Sequence, residues 1–112
     1  MILLIDKPKG VTSHDVVNIV RRVTSEKRVG HGGTLDPNAT GLLVVAVGRE
    51  STKTLDSFTK GMDKEYEAEI VLGEQRDTDD TEGKVIFTND QIIPSINDVK
   101  SVLLNFIGKI EQ

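Results

Sequence analysis

The chain has 112 residues, 37% of them hydrophobic and 29% charged, with a net charge of −4 and no cysteine. That balance excludes wholesale disorder, disulfide scaffolds, thiolate metal sites and cysteine nucleophiles, and it fits one modest domain burying roughly 65% of its unfolded surface. No apolar run approaches the ~18 residues of a membrane span, and Met1 to Asp6 is too short and acidic-ended for a secretory signal, so a cytoplasmic protein without membrane partners is expected.

Ile2 to Ile5 is a short apolar run that predicts a buried strand, stopped by the turn Asp6-Lys7-Pro8-Lys9-Gly10. Ser13 opens and caps a helical pattern whose stripe is Val16, Val17, Val20 and Val23, fraying by Ser25. His14, beside that cap, suits a surface or capping role. Gly30 to Gly41 holds too many breakers for a regular element and is expected to be a loop. Leu42 to Val47 follows as a central strand, and Glu50 to Phe58 as a short helix with Leu55 and Phe58 facing inward. Lys64 to Leu72 alternates, with Tyr66, Ala68, Ile70 and Leu72 on one face and Glu65, Glu67 and Glu69 on the other, which predicts a half-buried strand. Gly73 to Gly83 reads as an acidic loop and Lys84 to Thr88 as a strand. Ser95-Ile96-Asn97-Asp98 is close to a capping box and starts a helix whose apolar face is Ile96, Val99, Leu103, Phe106 and Ile107, with Gly108 as its stop. Helices and strands interleave irregularly, so the expected class is α+β with a mixed sheet.

Charge divides unevenly. Residues 1–60 carry nine Lys/Arg against six Asp/Glu, and residues 61–112 carry five against twelve. The first half can therefore meet a phosphate backbone while the second stays solvated. Lys9, Arg21, Arg22, Lys27 and Arg28 are candidate phosphate contacts, with an ordinary solvated face as the equal alternative.

The segment Gly30-His31-Gly32-Gly33-Thr34-Leu35-Asp36-Pro37-Asn38-Ala39-Thr40-Gly41 concentrates the chemistry. Glycine allows close approach of backbone to ligand, and Pro37 biases Asp36 toward an extended conformation, which fixes where its carboxylate points. The plain alternative is a tight turn in which Asp36 accepts from neighbouring N–H groups. A phosphate-binding P-loop is excluded because no Gly-Lys-Ser/Thr closes the segment, and a dinucleotide fingerprint because the glycine spacing is wrong and the segment leads into a strand. Asp77, Asp79 and Thr81 imitate the start of a calcium loop, but Glu82 stands where that loop needs glycine and residue 88 is Thr, so no metal site is expected.

Continued through Leu42-Leu43, that segment resembles the signature of the TruB family of tRNA pseudouridine synthases, in its bacterial form rather than that of the box H/ACA relatives. Asp6-Lys7-Pro8-Lys9-Gly10-Val11-Thr12-Ser13-His14-Asp15-Val16-Val17 resembles the family's first motif, Lys64-Glu65-Tyr66 its Lys-x-Tyr motif, and Asp77-Thr78-Asp79-Asp80 its acidic-threonine loop. The resemblance implies a pseudouridine synthase-like mixed sheet flanked by helices, and isomerisation of one uridine in the T-arm of tRNA (position 55) to pseudouridine. It implies neither metal nor organic cofactor. It maps the catalytic aspartate onto Asp36, the active-site tyrosine onto Tyr66 and the T-loop-contacting histidine onto His31. Gly33, Thr34 and Asp80 are carried along as substrate-side residues, Asp80 as a group that orders the cleft.

The reaction breaks C1′–N1, turns the uracil and forms C1′–C5. The uridine must be flipped out first, which costs a few kcal/mol, and a stacked aromatic returns about 1–3 kcal/mol. Tyr66 is the single Tyr and Trp is absent, so Tyr66 is the natural platform and a candidate base for C5, with a packed core residue as its alternative. Asp36 attacks C1′ or C6 or abstracts a ribose proton; these routes stay open.

The sequence departs from the family in length. Residues 1–112 are expected to be the N-terminal portion of a catalytic domain whose remaining strands, Arg-bearing motif and C-terminal RNA-binding domain lie outside the chain. The chain alone is then expected to be inactive and to self-associate through exposed apolar surface, although the full enzyme is not expected to form oligomers. Gln75-Arg76-Asp77 also shifts the family's Arg-Thr-Asp order by one residue. The rival readings are a non-catalytic RNA-binding or chaperone module and an α/β interaction domain without RNA affinity.

Overall fold

A computed structural model describes residues 1–89 and 91–111. The chain divides into two units, Met1–Glu65 and Tyr66–Gln112.

In the first unit, β1 (Ile2–Lys7), β2 (Val29–His31) and β3 (Gly41–Val47) form a sheet in the order β1-β3-β2. Both pairings are antiparallel: Ile5 lies opposite Leu43, and His31 opposite Val45. The long apolar run therefore takes the centre, as its composition demands, and the strand Val29–His31 is carved out of a segment whose glycines read as loop throughout. Helix α1 (Ser13–Thr24) packs Val16, Val17 and Val20 against Val29, Leu43, Val45 and Val47 to make the core, with Leu3, Ile5, Val11 and Leu35 at its margin. Each α1 valine concedes about 0.5 kcal/mol of helix propensity relative to alanine and recovers about 1.5 kcal/mol or more on burial, so burial wins. Val23 does not join the stripe; it is 80% exposed, one turn beyond the last valine that reaches the sheet.

The start of α1 differs from expectation by one residue. Thr12, not Ser13, is the cap: its hydroxyl accepts from the Asp15 N–H at 3.0 Å, and Asp15 Oδ2 accepts from the Thr12 N–H at 2.9 Å. Helix α2 (Arg49–Thr59) buries Leu55, whereas Phe58, expected inside, lies exposed. Gly32 sits so close to α2 that a Cβ there would meet the Thr59 methyl group and Leu55 Cδ1, which makes glycine a packing requirement at that position.

In the second unit, β4 (Glu74–Arg76) and β5 (Val85–Thr88) form an antiparallel hairpin with an irregularity between Gln75 and Arg76. Helix α3 (Ile96–Leu103) starts on the Ser95/Asp98 capping box and runs into a 3₁₀ turn, Leu104–Phe106. It buries none of its residues. The expected strand Lys64–Leu72 does not form: residues 64–71 lie outside any element, and Leu72 belongs to a turn. Strand geometry is held by a hydrogen-bonded neighbour, and none of the described residues pairs with this stretch. The class is α+β, with helices and strands mixed but both sheets purely antiparallel.

Candidate active site

The Gly30–Gly41 segment begins as β2 and ends at the start of β3. His31 closes β2, and its ring Nδ1 lies 2.7 Å from the Gly33 carbonyl oxygen. A carbonyl only accepts, so Nδ1 carries the proton in this contact and Nε2 is not used by it. Gly33 and Thr34 are exposed, and a Cβ at Gly33 would meet nothing within 4 Å.

Asp36 opens a tight turn. Its carbonyl accepts from the Ala39 N–H at 3.0 Å across Pro37 and Asn38, the place where proline at the second turn position is favoured. The side chain is exposed, and among the described residues its carboxylate accepts no hydrogen bond. The alternative in which the turn consumes that carboxylate is therefore not what the chain adopts.

The backbone on both sides of Asp36 is tied down. Before it, the buried Ser13 hydroxyl donates to the Leu35 carbonyl at 3.1 Å and accepts from the Leu35 N–H at 2.9 Å. After it, the Pro37 carbonyl accepts from the Gly10 N–H at 2.8 Å and from Lys7 Nζ at 3.3 Å. Lys7 is fully buried, and its remaining donors go to the carbonyls of Val11 at 2.8 Å and Pro8 at 3.0 Å. Three donors meet three acceptors, so the buried cationic group is fully hydrogen-bonded. An exposed acid thus stands on a backbone with almost no freedom.

Lys7 and Ser13 were missed as site residues, the one read as part of a turn and the other as a cap. A signal for Lys7 exists: strand alternation puts it on the same face as Leu3 and Ile5, pointing inward. No comparable signal marks Ser13, because its partner is a backbone 22 residues away.

The other two expected residues lie in the second unit. Tyr66 is 69% exposed in the irregular segment, so it is not the packed strand residue its alternation suggested. Asp80 is held inside its own loop: Oδ1 accepts from Thr78 Oγ1 at 2.7 Å, the Glu82 N–H at 2.9 Å and the Gly83 N–H at 3.2 Å. These bonds, the Thr78 hydroxyl foremost, lower its pKa below the ordinary aspartate value. Arg76 braces the same loop, donating to the carbonyls of Thr81 at 3.1 Å and Gly83 at 2.8 Å and pairing with Glu74. Among the basic residues, Arg21, Arg22 and Lys27 line an open depression with Ser25 and Glu26 where α1 ends.

The first unit is, in sum, an α+β scaffold that presents one braced carboxylate on a glycine-rich loop. Comparison with known proteins names the scaffold. Residues 21–112 match the family model described as TruB family pseudouridylate synthase (N terminal domain), and the chain belongs to that family. It is 52% identical over 110 residues to the tRNA pseudouridine synthase B of Roseobacter denitrificans, a match covering 98% of this chain and 35% of that one. It is 48% identical over 111 residues to the protein of the same name from Protochlamydia amoebophila, covering 99% and 42%. The chain thus spans about a third of the length of such relatives. A solved chain described as an H/ACA RNP bound to a substrate RNA containing 2′-deoxyuridine aligns over 50% of this chain and 17% of its own, at 39% identity and a TM-score of 0.47.

Proposed function

We propose that the chain supplies the N-terminal part of the catalytic domain of a tRNA pseudouridine synthase, acting in the cytoplasm on the T-arm uridine at position 55. Family membership supports the reaction class, and the name shared by its relatives supports tRNA as substrate. The observation that carries the site is Asp36: exposed, without a hydrogen bond to its carboxylate among the described residues, and fixed from both sides by Ser13, Gly10 and Lys7.

The isomerisation conserves atoms. The C1′–N1 bond breaks and C1′–C5 forms; the proton lost from C5 is balanced by one gained at N1, so the nucleotide keeps its overall composition. Asp36 is the carboxylate that acts on the flipped nucleotide. Reaction at one atom of a flipped nucleotide requires placement of the reacting group, and the braced turn supplies it. Tyr66 offers an exposed aromatic face for the extruded uracil and a phenol for the proton at C5. His31, with Nδ1 committed to Gly33, presents Nε2 to the RNA, and Gly33 and Thr34 line the same exposed loop. Asp80 contributes through the order of its loop. The cations along α1 and after it meet phosphates.

The test is Asp36→Asn in the longest polypeptide the gene encodes. Tritium release from tRNA labelled at C5 of uridine should vanish while tRNA affinity stays within about twofold; activity within tenfold of the unsubstituted protein, a loss under ~1.4 kcal/mol, removes Asp36 from catalysis. Residues 1–112 alone are expected to release no tritium.

A further inference from the structure

We propose that Ser13 is a positioning residue for Asp36, setting the direction of the catalytic carboxylate without touching substrate. The inference rests on the functional reading above and adds a residue to it. A serine at the start of a helix ordinarily serves the helix, but here Thr12 already fills the cap, so the Ser13 hydroxyl is not needed there. It turns instead to the loop, 2% exposed, and uses both of its capacities on one residue: it accepts from Leu35 N–H at 2.9 Å and donates to Leu35 C=O at 3.1 Å.

Leu35 is the residue immediately before Asp36. Its carbonyl belongs to the peptide plane that joins the two, so holding that oxygen holds the plane about which the Asp36 φ is measured. Pro37 restricts the Asp36 ψ from the other side. The Leu35 side chain, packed at the core margin, closes the third direction. Ser13 is thus the side-chain element of a clamp whose output is the aim of a carboxylate one residue away. Misplacement of a reacting group by about 1 Å can cost 10²-fold in rate. Removal of the hydroxyl leaves both Leu35 backbone groups to find other partners, which loosens the clamp without altering any group that meets RNA.

The experiment uses the longest polypeptide the gene encodes, unsubstituted and with Ser13→Ala. It reads three quantities: single-turnover pseudouridine formation, tRNA affinity, and amide hydrogen exchange at Leu35 against Val45. The expected result for Ser13→Ala is a rate at least tenfold lower, affinity within twofold, and Leu35 exchange at least tenfold faster with Val45 unchanged. A rate within twofold of the unsubstituted protein overturns the proposal. So does faster exchange at Val45 as well, since that marks Ser13 as a general support of the fold. If the unsubstituted polypeptide forms no pseudouridine, the functional reading fails, and the exchange at Leu35 still decides whether Ser13 holds the loop.

Discussion

Asp36 and Asp80 are the same residue type in two turns, and their carboxylates are hydrogen-bonded differently. Asp80 spends Oδ1 on the Thr78 hydroxyl and on two backbone N–H groups, and those bonds favour the ionised form. Asp36 spends none on its own turn among the described residues, and the work of holding that turn falls to Ser13, Gly10 and Lys7. The Asp36 carboxylate is thereby separated from the bonds that hold its loop. The Asp80 arrangement makes a pH prediction. Its folded pKa lies below its unfolded one, so its contribution to loop order is complete above about pH 3.9 and is lost as pH falls through the lower, folded value. An NMR titration should place the Asp80 midpoint below that of a free aspartate, and Thr78→Val should raise it. A midpoint at or above the free value contradicts the bonding described.

At the level of elements, helix α1 serves both the core and the loop because adjacent residues divide the tasks. Thr12 ends the helix, Ser13 reaches the loop, and Val16, Val17 and Val20 face the sheet. Thr12→Ala should therefore lower stability by about 1 kcal/mol, read as a shift in the denaturation midpoint, while Leu35 amide exchange is unchanged. A change at Leu35 would show that cap and clamp are one device. The segment Lys64–Leu72 shows the limit of pattern. Alternation states which face would be buried, but a strand also requires a neighbour, and none of the described residues provides one.

At the level of the molecule, the two units differ in how much apolar surface they cover. The Met1–Glu65 unit holds the buried cluster, although Leu4, Val23 and Leu42 stay outside it, while the Tyr66–Gln112 unit leaves Ile70, Val71, Phe87, Ile93 and Phe106 exposed. Exposed apolar area on this scale marks surface that associates. Residues 1–112 alone should show concentration-dependent self-association by sedimentation, strengthened by sulfate as apolar contacts are. A monomer at every concentration, insensitive to sulfate, would contradict this.

Much of the first unit was legible in the chain itself. Apolar runs and periodicity located β1, α1, β3 and α2, because each carries its own local signal, and the Gly30–Gly41 segment showed a proline-restricted turn at Asp36 through its residue types. The strand Val29–His31 was not legible, since three residues with a central glycine join a sheet only by pairing with Val45 to Val47. The exposure of Phe58 and Tyr66 was not legible either, because local pattern cannot say which neighbours are present. Residue types and order alone determined which acid stands in which turn, and the family to which the motifs belong. Tertiary structure alone decided that Ser13 and Lys7 hold this turn in place: their partners are backbone atoms up to thirty positions distant, and backbone atoms are the same in every sequence.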